Sequence, residues 1–224
     1  MDFDGTACPD DVSEALLEEF AGPGWEAFDE AVDRGEIGLR EAAGRQAEML
    51  GGARERMLEF VLDRFGLDPT FGPFVEWAET AALTVQVASD GFGFYVAPML
   101  EAAGLGRVDV LTNELVEEEG RFTLRHPSGH PVCVGCGTCK MLAATRLRDR
   151  HGAVAFVGEG RSDRYGALYS DLVFAKSRLV TICERDGVPF LPWETFDDVR
   201  AWLEPSEAVA GAVAPPTCPG WRSE

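Results

Sequence analysis

Asp2 and Asp4 open the chain one residue apart and are followed by Gly5 and Thr6. Side chains alternate faces along a strand, so two carboxylates at this spacing point the same way where a strand ends. Gly5 and Thr6 then let the backbone turn sharply away. Such a pair suits phosphoryl transfer by a covalent route. One aspartate attacks phosphorus and the other manages the leaving group's proton. These residues alone leave open a second reading, an acidic N-terminal turn with no chemistry.

Three later segments each follow a stretch that reads as a strand. Ser89, Asp90 and Gly91 offer a hydroxyl and the amides of a helix start, a phosphate cradle. They fit an ordinary helix N-cap equally well. Lys140 opens a helix, where a cation works against the dipole, so stability alone does not favour it there. Its ammonium can neutralise a phosphoryl oxygen, or it can be a solvated surface lysine. Glu159 and Asp163, in Gly158-Glu159-Gly160-Arg161-Ser162-Asp163, are hard oxygen ligands suited to Mg²⁺ beside the first Asp pair. The alternative is a polar turn with Ser162 or Asp163 as N-cap. Finally, His130, Cys133, Cys136 and Cys139 recur every three residues, with His126 nearby. They can bind Zn²⁺ tetrahedrally, bind an iron–sulfur cluster, or simply shape a glycine-rich loop before Lys140.

The elements that must position these groups fall into two kinds. Residues 10–66 are helical in pattern: Val12, Leu16, Leu17 and Phe20 keep helical spacing until Gly22-Pro23-Gly24 breaks it. Further helices are predicted over 25–32, 39–50 and 54–65, which together suit a helical cap. From about residue 71 strands and helices alternate. Strands are predicted over 83–89, 108–112, 153–157, 171–175 and 179–183, with 121–125 in a hairpin. Helices are predicted over 92–103, 138–150 and 195–203. The alternation implies an α/β fold, a Rossmann-like doubly wound parallel sheet with its site at the carboxyl ends of the strands. The expected division is a core of 1–9 and 67–204, a cap of 10–66, and a flexible tail of 205–224. Only Met1 precedes Asp2, so the first strand is expected to be missing.

The 224 residues suffice for one domain, or a domain with a smaller insert. A hydrophobic content of 46%, with 14 Phe and 5 Trp, fits a packed globular chain. The net charge of −19 argues against binding nucleic acid or an anionic membrane by bulk electrostatics. An anionic substrate then needs local help from a metal ion or a placed lysine. The chain starts without a basic and apolar leader, and no stretch reaches membrane-span length. Its six cysteines accordingly read as reduced thiols or metal ligands, and a cytoplasmic monomer or homodimer is expected.

Taken in order, the segments at Asp2, Ser89, Lys140 and Glu159 resemble the four motifs of the haloacid dehalogenase phosphatase superfamily. Segments 25–28, 89–98, 136–140, 170–176 and 190–196 look like its phosphoserine-phosphatase-like branch, which includes a phosphatase of methionine salvage. The resemblance implies Mg²⁺-dependent hydrolysis of a small phosphorylated metabolite on a Rossmann-like core with an inserted cap. It implies that Asp2 is the nucleophile, that Asp4 is the acid and base, and that Lys140 completes the catalytic set. Ser89, Asp90, Gly91 and Lys140 then fall in the phosphate site. Asp2, the backbone carbonyl of Asp4 and Glu159 then hold the metal, and Asp163 positions its shell or Lys140. Three positions depart from the pattern: Asp90 stands where the branch has glycine, Gly93 where it has aspartate, and Glu159 where it has aspartate. A carboxylate at 90 would repel an anionic substrate unless turned away. Asp90, Glu159 and the expected lack of a first strand motivate an alternative, a catalytically impaired relative that binds a phosphorylated metabolite or a protein partner.

Overall fold

The computed structural model describes residues 1–204, so the tail expected from residue 205 lies outside the described residues. After an N-terminal turn come four helices: α1 (Val12–Phe20), α2 (Glu26–Asp33), α3 (Leu39–Met49) and α4 (Arg54–Arg64). Asp11 caps α1 by accepting the Glu14 amide at 2.9 Å. The apolar stripes then dictate the packing. Val12 and Leu16 of α1 and Met57 and Val61 of α4, each pair four residues apart, are fully buried. They join one continuous core with Phe3, Phe71 and Tyr95.

The sheet has two halves. Strand β1 (Gln86–Ala88) pairs parallel with β2 (Asp109–Leu111), with Val87 opposite Val110. On the other side of the gap are β5 (Ala155–Gly158), β6 (Leu172–Ala175) and β7 (Leu191–Pro192), again parallel. Between the halves in sequence, a hairpin of β3 (Glu114–Glu118) and β4 (Arg121–Arg125) forms where 121–125 was expected to pair. Met1 and Asp2 close the gap. The Met1 amino group donates to the Gln86 carbonyl at 2.9 Å, and the Ala88 amide donates back to the Met1 carbonyl at 2.8 Å. That is a parallel bridge onto Val87. The Asp2 amide then donates to the Val157 carbonyl at 3.0 Å. These two residues thus join the two halves of the sheet. All four residues of β6 are buried, as a strand covered on both faces requires.

The remaining helices are α5 (Phe71–Thr80), α6 (Val96–Ala102), α7 (Lys140–His151), α8 (Arg164–Leu168), α9 (Ser177–Asp186) and α10 (Phe196–Leu203). Residues 179–183, predicted as a strand, lie inside α9. Leu179, Ile182 and Cys183 are its buried face, a spacing of three and four rather than two, and Gly187 closes it at φ +68°. The helix predicted over 92–103 begins at Val96, because Gly93 has φ +80° and an added Cβ there would collide with the Asn113 carbonyl. Among the described residues, no helix is long and apolar enough to cross a membrane.

Candidate active site

The turn that follows Asp2 is built around one glycine. Gly5 has φ +68°, and a Cβ there would come within 2.7 Å of the Glu159 carboxyl carbon. Both its backbone and the close approach of Glu159 exclude a side chain. The turn closes when the Cys8 amide donates to the Phe3 carbonyl at 2.9 Å. Phe3, fully buried, anchors it with its ring 6.0 Å from that of Tyr95. Burying such a ring stabilises by roughly 1.5–3 kcal/mol. Asp2 and Asp4, on either side of Phe3, both line one cavity of about 420 Å³.

Lys140 is not a surface lysine. It is 2% exposed, and its ammonium lies 2.7 Å from Asp2 Oδ1, 2.7 Å from Asp163 Oδ1 and 2.9 Å from Ser162 Oγ. Burial opposes the charged ammonium, but Asp163 and Asp2 outweigh it and hold the pKa above the ordinary lysine value. Asp163 is fixed in turn, since its Oδ2 accepts the Glu159 and Gly160 amides at 2.8 and 2.9 Å. Both Asp163 oxygens are thus committed to the protein, and it serves Lys140.

Asp4 is held by different partners. Tyr95 Oη donates to its two oxygens at 2.9 and 2.8 Å, the Val12 amide at 3.1 Å and Ser89 Oγ at 3.3 Å. Burial, assisted by Asp11, pushes its carboxyl up to about 7. Burial and the charge of Asp163 likewise raise Asp2 well above the carboxylate range, although Lys140 pulls it back. Glu159 is raised by burial and Asp163.

The segment at 89–91 departs from the cradle that the sequence suggested. Because α6 starts at Val96, Ser89 and Asp90 do not cap it. The Gly91 amide donates to Ser89 Oγ at 3.2 Å, and the Phe92 amide to Ser13 Oγ at 3.4 Å. Asp90 is a brace: its Oδ1 accepts the Thr138 amide at 2.7 Å and Asn113 Nδ2 at 3.3 Å. Asn113 Nδ2 also reaches the Asp90 and Gly91 carbonyls, and His126 Nδ1 meets Asn113 Oδ1 at 2.8 Å. Asp90 Oδ2 is buried without a hydrogen-bond partner, and burial raises this carboxyl towards its neutral form.

The first three helices roof the cavity. Leu17, Trp25, Leu39, Ala42 and Ala43 give it an apolar wall. Arg161, beside Glu159, ties this roof down: it donates to the Asp29 carbonyl at 3.1 Å and pairs with Asp29 and Asp33 of α2. Arg178 of α9 joins it on Asp33. Sequence reading grouped His126 with the cysteines rather than with Asn113, and it missed Tyr95, Ser13, Asn113 and this arginine–aspartate set. Asp29 and Asp33, four apart on one helix face, were the available signal for the last.

The Lys140 ammonium pairs with Asp2 and Asp163, and Asp4 and Glu159 line the cavity beside Asp2, which leaves the site short of positive charge. The side chains of Asp2 and Glu159 with the backbone carbonyl of Asp4 would offer hard oxygen donors of the kind Mg²⁺ takes. The zinc expectation is corrected. Among the described residues, no three His, Cys, Asp or Glu side chains converge on a point that could hold a metal. His130 Nδ1 instead accepts the Val132 and Cys133 amides at 3.1 and 2.9 Å, and Cys133 Sγ accepts the Gly135 amide at 3.4 Å. These groups hold their own loop.

Comparison with known proteins gives the same picture. A 2-hydroxy-3-keto-5-methylthiopentenyl-1-phosphate phosphatase from Exiguobacterium sp. is 28% identical over 206 residues, covering 91% of this chain and 95% of its own. The phosphatase of that name from Geobacillus thermodenitrificans is 28% identical over 211 residues, covering 93% and 96%. A solved phosphoserine phosphatase, captured as a phospho-aspartyl intermediate analogue, superimposes with a TM-score of 0.66 over 90% of this chain and 95% of its own. At 14% identity that likeness shows the fold. Residues 1–167 match the haloacid dehalogenase-like hydrolase family, and the chain belongs to it.

Proposed function

We propose that this phosphoric monoester hydrolase acts on a small phosphorylated metabolite through a phosphoryl group carried on Asp2. The observation that carries the reading is the buried Lys140 ammonium, 2.7 Å from Asp2 Oδ1, beside the cavity that Asp2 and Asp4 share. Asp2 attacks phosphorus and forms an aspartyl-phosphate as the bond to the leaving oxygen breaks. Asp4 protonates the departing alkoxide and then takes a proton from the water that hydrolyses the intermediate. Lys140 neutralises a phosphoryl oxygen, Ser89 lies next to Asp4, and Asp163 keeps Lys140 in place. Asp2, Glu159 and the Asp4 backbone carbonyl would hold Mg²⁺, which would supply the positive charge that lets an anionic nucleophile meet an anionic phosphate.

In this reading residues 10–66 are the cap and residues 1–9 and 67–204 the core. The cap excludes water and selects the leaving group. Its wall of Leu17, Trp25, Leu39, Ala42 and Ala43 suits a leaving group with a short apolar portion. Arg161 and Arg178, the cations of the cavity lining, are already paired with Asp29 and Asp33. That favours the methylthiopentenyl phosphate named for the relatives over the zwitterionic phosphoserine. The test is a panel of phosphate monoesters assayed with Mg²⁺ and with EDTA. Mg²⁺-dependent release of phosphate, fastest from esters with apolar tails, is expected. No turnover of any ester would overturn the reading in favour of a binding role.

A further inference from the structure

Tyr95 is fully buried, and its ring is wedged between Phe3 and Phe94, with centroids 6.0 and 5.5 Å away. The ring cannot swing away, so its hydroxyl has a fixed place. That place is 2.9 and 2.8 Å from the two oxygens of Asp4 and 2.8 Å from Ser13 Oγ. Gly91 makes the room. A Cβ there would lie 2.6 Å from both Ser13 Oγ and Tyr95 Oη and 2.9 Å from Asp4 Oδ2.

The direction of this chain of hydrogen bonds is set by its ends. The Phe92 amide can only donate, and it donates to Ser13 Oγ. In its ionised form, before it takes up the proton it delivers, Asp4 can only accept. The Ser13 hydroxyl therefore donates to Tyr95 Oη, and the Tyr95 hydroxyl donates to Asp4. A buried phenol on a carboxylate forms a strong, charge-assisted hydrogen bond that fixes the carboxylate's orientation. Ser13 lies in the first turn of α1, so the same chain joins Asp4 to the roof of the cavity.

We propose that Tyr95 is a positioning residue, which holds Asp4 in the orientation for proton transfer to the leaving oxygen and links it through Ser13 to α1. The inference rests on the phosphatase reading above. In the step concerned, the bond between Asp2 and phosphorus forms while the bond from phosphorus to the leaving oxygen breaks. The proton on Asp4 moves to that oxygen, and Tyr95 keeps its own proton throughout.

Leaving-group chemistry separates this role from a merely structural one. A nitrophenolate departs without protonation, whereas an alkoxide needs the acid. The experiment compares kcat/KM, which covers only the steps up to leaving-group departure, for n-butyl phosphate and p-nitrophenyl phosphate. In Tyr95→Phe, which keeps the ring, kcat/KM for the alkyl ester should fall about tenfold or more, within the range of general acid catalysis, and change little for the aryl ester. Ser13→Ala, which leaves Tyr95 in place, should shift the alkyl-to-aryl ratio in the same direction by less. Equal effects on both esters, or no effect in either variant, would overturn the inference while the phosphatase reading stands. A parent that hydrolyses neither ester would remove both.

Discussion

The Lys140 ammonium and Asp2 Oδ1 lie 2.7 Å apart with their side chains 1% and 8% exposed, and the same ammonium lies 2.7 Å from Asp163. One cation thus serves two buried carboxylates that lie far apart in sequence. Lys140→Met would leave both unpaired. Breaking a buried pair costs about 3–5 kcal/mol, so the urea unfolding free energy should fall by that order. Loss of a charge on the phosphoryl oxygens should cut kcat about a hundredfold. A variant with parental stability and turnover would show that this contact carries neither role.

Asp90 supports a different expectation from the one its sequence position suggests. By position alone, Asp90→Gly relieves repulsion of phosphate. In the structure its Oδ1 receives the Thr138 amide and Asn113, so removing it orphans a buried donor. Asp90→Gly should destabilise by about 1–3 kcal/mol in thermal or urea unfolding. Asp90→Asn keeps the acceptor oxygen and removes the charge, so it should melt near the parent and lower KM for phosphate esters. A Gly variant as stable as the parent would contradict the bracing role.

His126 gives the fold a pH signature. Burial, then the charge of Arg40, lowers its pKa from 6.5 to about 4, while its Nδ1 meets Asn113 Oδ1. On acidification the unfolded chain takes up this proton first. The contribution of neutral His126 is therefore complete above about pH 6.5 and is lost as pH falls towards 4. Melting curves across that window should show the parent losing more stability than His126→Gln. Parallel losses would mean that His126 titrates normally in the folded state.

Much of this was legible in the sequence because it depends on local pattern. Helices α1 to α4 follow apolar spacing closed by Gly-Pro-Gly and Gly-Gly, and they fall where predicted. Asp2, Asp4, Lys140, Glu159 and Asp163 could be picked out because their residue types recur in a recognisable order along the chain. What failed were elements whose local cues conflict. Val180, Thr181 and Ile182 are β-branched, yet the burial spacing of α9 overrides that preference. Helix α5 has no counterpart in the sequence reading, since Gly72 and Pro73 look like breakers. Pro73 sits in the first turn, where its missing N–H costs nothing. The contacts of Tyr95 with Asp4, and of Arg161 with Asp29, join segments far apart in sequence and exist only once the chain has folded.

The central claim, that Asp2 carries the phosphoryl group, is tested most directly by trapping. Quenching the enzyme during turnover and reducing it with borohydride converts an aspartyl-phosphate to homoserine, which peptide mass spectrometry locates. Homoserine at position 2, formed only with substrate present and in an enzyme that Asp2→Asn inactivates, is the expected result. An enzyme that hydrolyses phosphate esters while residue 2 remains aspartate after reduction, or whose Asp2→Asn variant turns over normally, would contradict the account.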